Sequence, residues 1–148
     1  MKRFAIALAK LKPRLESCAE KTDKQIDRLA THAGGETSAV VAKVMSLVDR
    51  KRRLVDLALI WSRMTASLSE KEKRVLRERS EARTEESLAE EMGVCRGTIR
   101  NYFNRALEKC MYALSAVRQT GFDLGEYDEL LGLPVGRELE TLPRRSAS

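Results

Sequence analysis

The feature that most restricts this chain is the pattern around one glycine, between Leu88 and Tyr102. The stretch reads Leu88-Ala89-Glu90-Glu91-Met92-Gly93-Val94-Cys95-Arg96-Gly97-Thr98-Ile99-Arg100-Asn101-Tyr102. Gly93 sits where the chain must turn, and a positive φ is open to glycine at little steric penalty. Ala89 is small where two helix axes approach. Leu88, Met92, Val94, Ile99 and Tyr102 close a small apolar core between the helices. Thr84 is a good N-cap for the first helix, and Glu85-Glu86 place carboxylates in its first turn, where the dipole favours them. The pattern predicts two short helices crossing steeply around a tight turn.

The flanks extend the unit. Ser69 and Glu72 have capping-box spacing and start a helix over Glu70 to about Arg79, with Val75 and Leu76 on its apolar face. A polar stretch, Ser80-Glu81-Ala82-Arg83, leads to Thr84. The first helix of the motif covers Glu85 to Met92. A long helix runs from Arg96 to about Val117. Its inner face is Ile99, Tyr102 or Phe103, Ala106, Leu107, Cys110, Met111 and Leu114. Its outer face is Arg96, Thr98, Arg100, Asn101, Asn104 and Arg105.

Charge is sorted between these helices. Glu85 to Met92 carries four glutamates and no cation, whereas Arg96 to Lys109 carries four cations and one anion, a net of +3. A helix entering the major groove of DNA needs that sorting, because its flanks face phosphates and its leading residues face base edges. Arginine bridges guanine O6 and N7, and asparagine bridges adenine N6 and N7. The expected DNA-binding residues are Arg96, Gly97, Thr98, Arg100, Asn101, Asn104, Arg105 and Lys109. Arg96, Thr98, Arg100 and Asn101 are expected near the bases, and Arg105 and Lys109 nearer the backbone. Gly97 lowers helix propensity, but the missing side chain lets the helix approach a duplex closely. The competing reading is a three-helix packing unit with a charged surface.

Composition agrees with an all-α fold. Of 148 residues, 34% are charged and only 5% aromatic, a mixture rich in helix formers. The net charge of +6 points toward a polyanionic partner without requiring one. Cys18, Cys95 and Cys110 are far apart and odd in number, and His32 is the only histidine. Neither a zinc site nor a disulfide framework is expected, and no cofactor. There is no Gly-rich phosphate loop and no triad, so an enzyme is not expected. The amino-terminal apolar run breaks at Lys10, too short to span a bilayer. The expectation is a cytoplasmic protein with no membrane partner.

Upstream, Phe4, Leu8, Leu11, Leu15 and Cys18 make one helical stripe, and Ile26 with Leu29 a second pair. Pro13 either kinks this helix or opens the first turn of another. His32-Ala33-Gly34-Gly35 marks a loop. Thr37 or Ser38 then caps a helix from about Ala39 to Met64. Val40, Val44, Leu47, Leu54, Ala58 and Trp61 alternate by four and three along it, with Lys51 in the one charged slot. Val41, Val48, Val55, Leu57, Ile60 and Met64 widen the stripe. So wide a stripe must be buried, by the N-terminal helix and by a second copy, making the 39–64 helix a homodimer candidate. Arg50-Lys51-Arg52-Arg53 is a solvated face or a phosphate or acidic-protein contact. From Thr120 onward glycines and prolines break long helices, yet Phe122, Leu124, Tyr127, Leu130, Leu131 and Leu133 are too apolar for a plain linker. The last five residues, Arg144 to Ser148, are expected to be disordered. Three regions result: 1–67, helical, for oligomerisation or partner binding; 68–118, a helix-turn-helix; and 119–148, a partly ordered tail.

Leu68 to Leu114, 47 of the 148 residues, resembles the fourth conserved region of housekeeping-type sigma factors. The likeness is carried by Leu68-Ser69-Glu70-Lys71-Glu72-Lys73-Arg74-Val75-Leu76, Leu88-Ala89, Gly93-Val94-Cys95-Arg96-Gly97-Thr98-Ile99-Arg100-Asn101 and Arg105-Ala106-Leu107-Glu108-Lys109. Cys95 stands where sigma factors carry a capping serine, and the 79–84 loop lacks their usual glycine. The resemblance implies binding to double-stranded promoter DNA beside RNA polymerase. Nothing upstream resembles the aromatic-rich sigma region that melts promoters. The order of helix, Gly-marked break, long amphipathic helix and sigma-like module is similar to phage late-gene transcription activators of the RinA and ArpU type. LuxR-type effector domains share the Leu-Ser-x-x-Glu opening, but Arg100-Asn101-Tyr102-Phe103-Asn104-Arg105 favours the sigma-like branch. The expectation is a phage or mobile-element transcription regulator. The alternatives are a small terminase-type DNA-packaging recognition subunit and an RNA polymerase-binding modulator of sigma-dependent transcription.

Overall fold

Pro13 settles how the N-terminal third is laid out. It falls in the opening of a one-turn 3₁₀ helix, Lys12–Arg14, between α1 (Lys2–Leu11) and α2 (Leu15–His32). Its missing N–H is harmless there, and its fixed φ suits the turn. The chain continues through α3 (Ser38–Met64), α4 (Glu70–Ser80), α5 (Glu85–Met92) and α6 (Arg96–Gln119). A 3₁₀ turn at Leu124–Tyr127 and a single-turn α7 (Asp128–Leu131) follow. The computed structural model describes residues 1–32 and 38–134. The expected loop at Ala33-Gly34-Gly35, the Thr37 cap and everything from residue 135, including the Arg144–Ser148 end, lie outside the described residues. Among those described the protein is all-α, with no strand, and no helix is long and apolar enough to cross a membrane.

The main core is a single cluster to which every expected region contributes. α1 buries Phe4, Ala5, Leu8 and Ala9, α3 buries Leu54, Leu57, Ile60 and Met64, and α6 buries Ala106, Leu107, Cys110, Leu114 and Val117. Leu68 and Leu76 enter from α4 and its lead-in, and Leu124 and Tyr127 from the tail. α1 touches α3, α4, α6 and α7, so it is the wedge that closes the assembly. The tail docks rather than trailing as a linker. Tyr127 donates its hydroxyl to Asp56 at 3.1 Å, and the burial of this phenol beside Asp56 raises its pKa well above the usual tyrosine range.

α3 divides its surface differently from the expected stripe. α2 lies along its N-terminal half, tied by Lys51 to Asp23 at 2.7 Å. Val40, Val44, Leu47 and Trp61 are only half-buried and Ala58 is exposed, while the deepest positions are Leu54, Leu57, Ile60 and Met64. Leu54 therefore belongs to the protomer's own core. Three cations of the 50–53 run are paired: Lys51 with Asp23, Arg52 with Asp49, Asp56 and Glu126, and Arg53 with Asp49 at 3.0 Å.

Candidate nucleic-acid interface

α4 is fixed first, by its own ends. Ser69 Oγ accepts from the Glu72 N–H at 3.2 Å and the Ser69 N–H donates to Glu72 Oε1 at 3.0 Å, so the expected capping box is formed. Such a cap stabilises a helix by about 1 kcal/mol. Glu72 is 3% exposed, and burial would push its carboxyl up. The Lys109 ammonium at 2.9 Å, the Ser69 N–H and the nearby charge of Arg105 outweigh that and hold it below the ordinary glutamate value. Lys109 thus ties α6 to the start of α4.

α5 is capped by Thr84, whose hydroxyl accepts from the Ser87 N–H at 3.1 Å. It ends at Gly93, left-handed at φ 70°, ψ 34°. The Val94 N–H reaches back to the Ala89 carbonyl at 3.0 Å and satisfies one of the helix's terminal acceptors. Cys95 then occupies the N-cap of α6 without a side-chain cap bond; its thiol instead contacts the Thr98 hydroxyl at 3.2 Å. That contact, first among several, lowers the thiol's pKa. Val75, Leu88, Ala89 and Ile99 form a second, smaller core, edged by Met92, Val94, Tyr102 and Phe103. Of the five residues expected to close a core between the helices, Leu88 and Ile99 are buried in it, and Met92, Val94 and Tyr102 pack half-buried at its edge. Phe103 also borders the main core, and Arg79 lies over its ring at 5.7 Å.

The loop before α5 is held by charge. Arg83 pairs with Glu78 and Glu91, and Arg74 pairs with the same two glutamates, so α4, the loop and α5 share one network. Glu78 and Glu91 are both shifted down, each chiefly by hydrogen bonding to Arg83. Ala82 adopts φ 69°, the conformation for which a glycine is better suited.

α6 displays its polar residues in an ordered way. At about 100° per residue, Gly97, Asn101, Asn104, Arg105 and Glu108 lie opposite the buried line of Ile99, Ala106, Leu107 and Cys110, and all five are exposed. Arg96 and Arg100 flank that crown toward α5, and Thr98 and Lys109 flank it toward α4. The flanking cations are held. Arg100 pairs with Glu85 at 3.0 Å and Arg96 with Glu86 at 3.3 Å. Glu85 is shifted down, first by its hydrogen bond from Arg100. Of the eight expected residues, Gly97, Asn101, Asn104 and Arg105 lie on the crown and Arg96, Thr98, Arg100 and Lys109 on its two flanks; seven of the eight fall in the first three turns of α6. The pairing of α5 carboxylates with α6 guanidiniums escaped the sequence reading. Its signal was the same segregation of acid and base, which also brings opposite charges side by side.

No protein family, curated protein or solved structure matches the chain.

Proposed function

We propose that this protein is a sequence-specific, double-stranded DNA-binding transcription regulator that acts at a promoter beside RNA polymerase. In this reading α5 and α6 form a helix-turn-helix, and α6 enters the major groove. The observation that carries it is the N-terminal part of the crown of α6: two amides and a guanidinium around a bare glycine, with cations on both shoulders and the one carboxylate, Glu108, at the end away from the turn. Asn101, expected near the bases, and Asn104 offer paired donor and acceptor groups to adenine edges, and Arg105, expected nearer the backbone, lies on the crown itself and offers a fork to guanine. Gly97 leaves room for the helix to settle close. Arg96 and Arg100, leaning toward α5, fit phosphate contacts better than base contacts, because their guanidiniums already sit beside the crown. Lys109 anchors Glu72 and the Ser67 carbonyl in the free protein, and a phosphate arriving there shares it with them.

The test is selection of bound duplexes from a random pool, with and without RNA polymerase. The reading expects a shared sequence among the survivors, and loss of that preference in Asn101→Ala and Arg105→Ala. Survivors no more alike than the starting pool, in both arms, would overturn it.

A further inference from the structure

α3 carries a second apolar line that the protomer does not bury. Val41, Met45, Val48, Val55 and Leu59 are between 45% and 65% exposed. With Arg52 in the one gap, they follow each other by four, three, four, three and four residues, the alternation of a two-stranded coiled-coil seam. α3 is an unbroken helix over this span, and no described helix covers the line.

We infer that this seam pairs with the seam of a second copy of the chain, antiparallel, about a two-fold axis at residue 50. In that register Val41 meets the partner's Leu59, Met45 meets the partner's Val55, and Val48 meets the partner's Arg52. Every layer then joins two seam positions, and the only charged one is set against valine. A parallel pairing would stack Arg52 on the partner's Arg52 in the middle of the seam. A single polar residue in such a seam is a recognised selector of register and orientation. Charge permits the approach of like to like. Lys51 is already bound by Asp23, Arg52 by Asp49, Asp56 and Glu126, and Arg53 by Asp49, so with Arg50 each copy brings four cations and four anions to the region of the contact's centre. A surface that matches itself about a two-fold axis is what an isologous dimer requires.

The contact is short. Eighteen steps of helix give roughly 27 Å, at the small end of what reaches the about 800 Å² per partner of a standard interface. The dimer therefore dissociates on dilution. Two-fold pairing also relates two copies of α6, so a duplex engaged by both copies at once would carry inverted half-sites. That corollary rests on the DNA-binding reading; the association itself does not.

Sedimentation of the full chain over about 1–200 µM tests the pairing. The expected result is a mass rising toward twice 16.7 kDa. Val48→Glu with Val55→Glu should hold the chain at monomer mass with its helical circular dichroism unchanged, because both positions are solvated in the protomer. Arg52→Leu should lower the dissociation constant at least tenfold. In a Cys95→Ser background, the double variant Met45→Cys with Val55→Cys should crosslink into dimers, and neither single variant should. A monomer throughout, a ring larger than a dimer, or a dimer indifferent to the two glutamates would overturn the seam. Crosslinking of each single variant would overturn the antiparallel register.

Discussion

Glu85 of α5 grips the guanidinium of Arg100 on α6 through both carboxylate oxygens, at 3.3 and 3.0 Å. The acid that supports the turn therefore also holds a cation beside the surface proposed to meet DNA. A phosphate arriving at Arg100 must share it with Glu85. Glu85→Ala should thus tighten binding to duplexes of any sequence severalfold at low salt, with the gain fading as salt rises. Arg100→Ala should weaken binding and flatten the salt dependence by about one phosphate contact. Fluorescence anisotropy across a salt series measures both. Equal affinity for Glu85→Ala and the parent protein at every salt concentration would place this pair outside the interface.

Gly97 separates stability from function. A Cβ added there meets nothing closer than the Cys95 sulfur at 3.9 Å, an ordinary contact. Gly97→Ala should therefore raise stability by up to about 1 kcal/mol, from helix propensity. The same methyl projects from the crown and should weaken DNA binding at least tenfold. Denaturant titration and a binding curve on the same preparation check the opposite signs.

Gly93 and Ala82 predict opposite responses to exchange. Gly93 is left-handed with open space where a Cβ would go, so Gly93→Ala should cost about 1–2 kcal/mol from backbone strain alone. Ala82 already bears that strain at φ 69°. Ala82→Gly should relieve it and leave a net gain of up to about 1 kcal/mol after the added freedom of the unfolded chain. Thermal unfolding should show the two midpoints moving apart, down for the first and up for the second.

Glu72 gives the fold an acid sensitivity. Its pKa is lowered in the folded protein, so it binds a proton less readily there than in the unfolded chain. Its stabilising contribution is complete above the unfolded value of about 4.3, and it is lost as pH falls through the lower folded value. Lys109→Met removes the strongest partner of a nearly buried carboxylate. It should cost about 1–3 kcal/mol near neutral pH and shift acid unfolding to higher pH. Acid titration followed by circular dichroism reads both effects.

Much of the turn region was legible because its rules are local. Ser69 and Glu72, Thr84, and Gly93 each act within four residues of sequence, and each behaves as its residue type dictates. The missing glycine of the 79–84 loop was also visible, and Ala82 pays for it in backbone angle. The inward face of α3 was misjudged because three alternating lines run along that helix. Periodicity identifies lines but does not say which one α1 and the tail will cover. Leu54 went to the core and Val55 to the surface although both were apolar candidates. The flanking pairs, Arg100 with Glu85 and Lys109 with Glu72, depend on contacts 15 and 37 residues apart, which no local pattern encodes.

In the proposed function the crown of α6 distinguishes one base pair from another. The most direct test compares the parent protein and Asn101→Ala on a selected duplex and on a scrambled one of equal length, at physiological salt. The expected result is a parent preference that falls by about 1–3 kcal/mol in the variant, with affinity for the scrambled duplex nearly unchanged. Equal losses on both duplexes, or no parent preference at all, would contradict it.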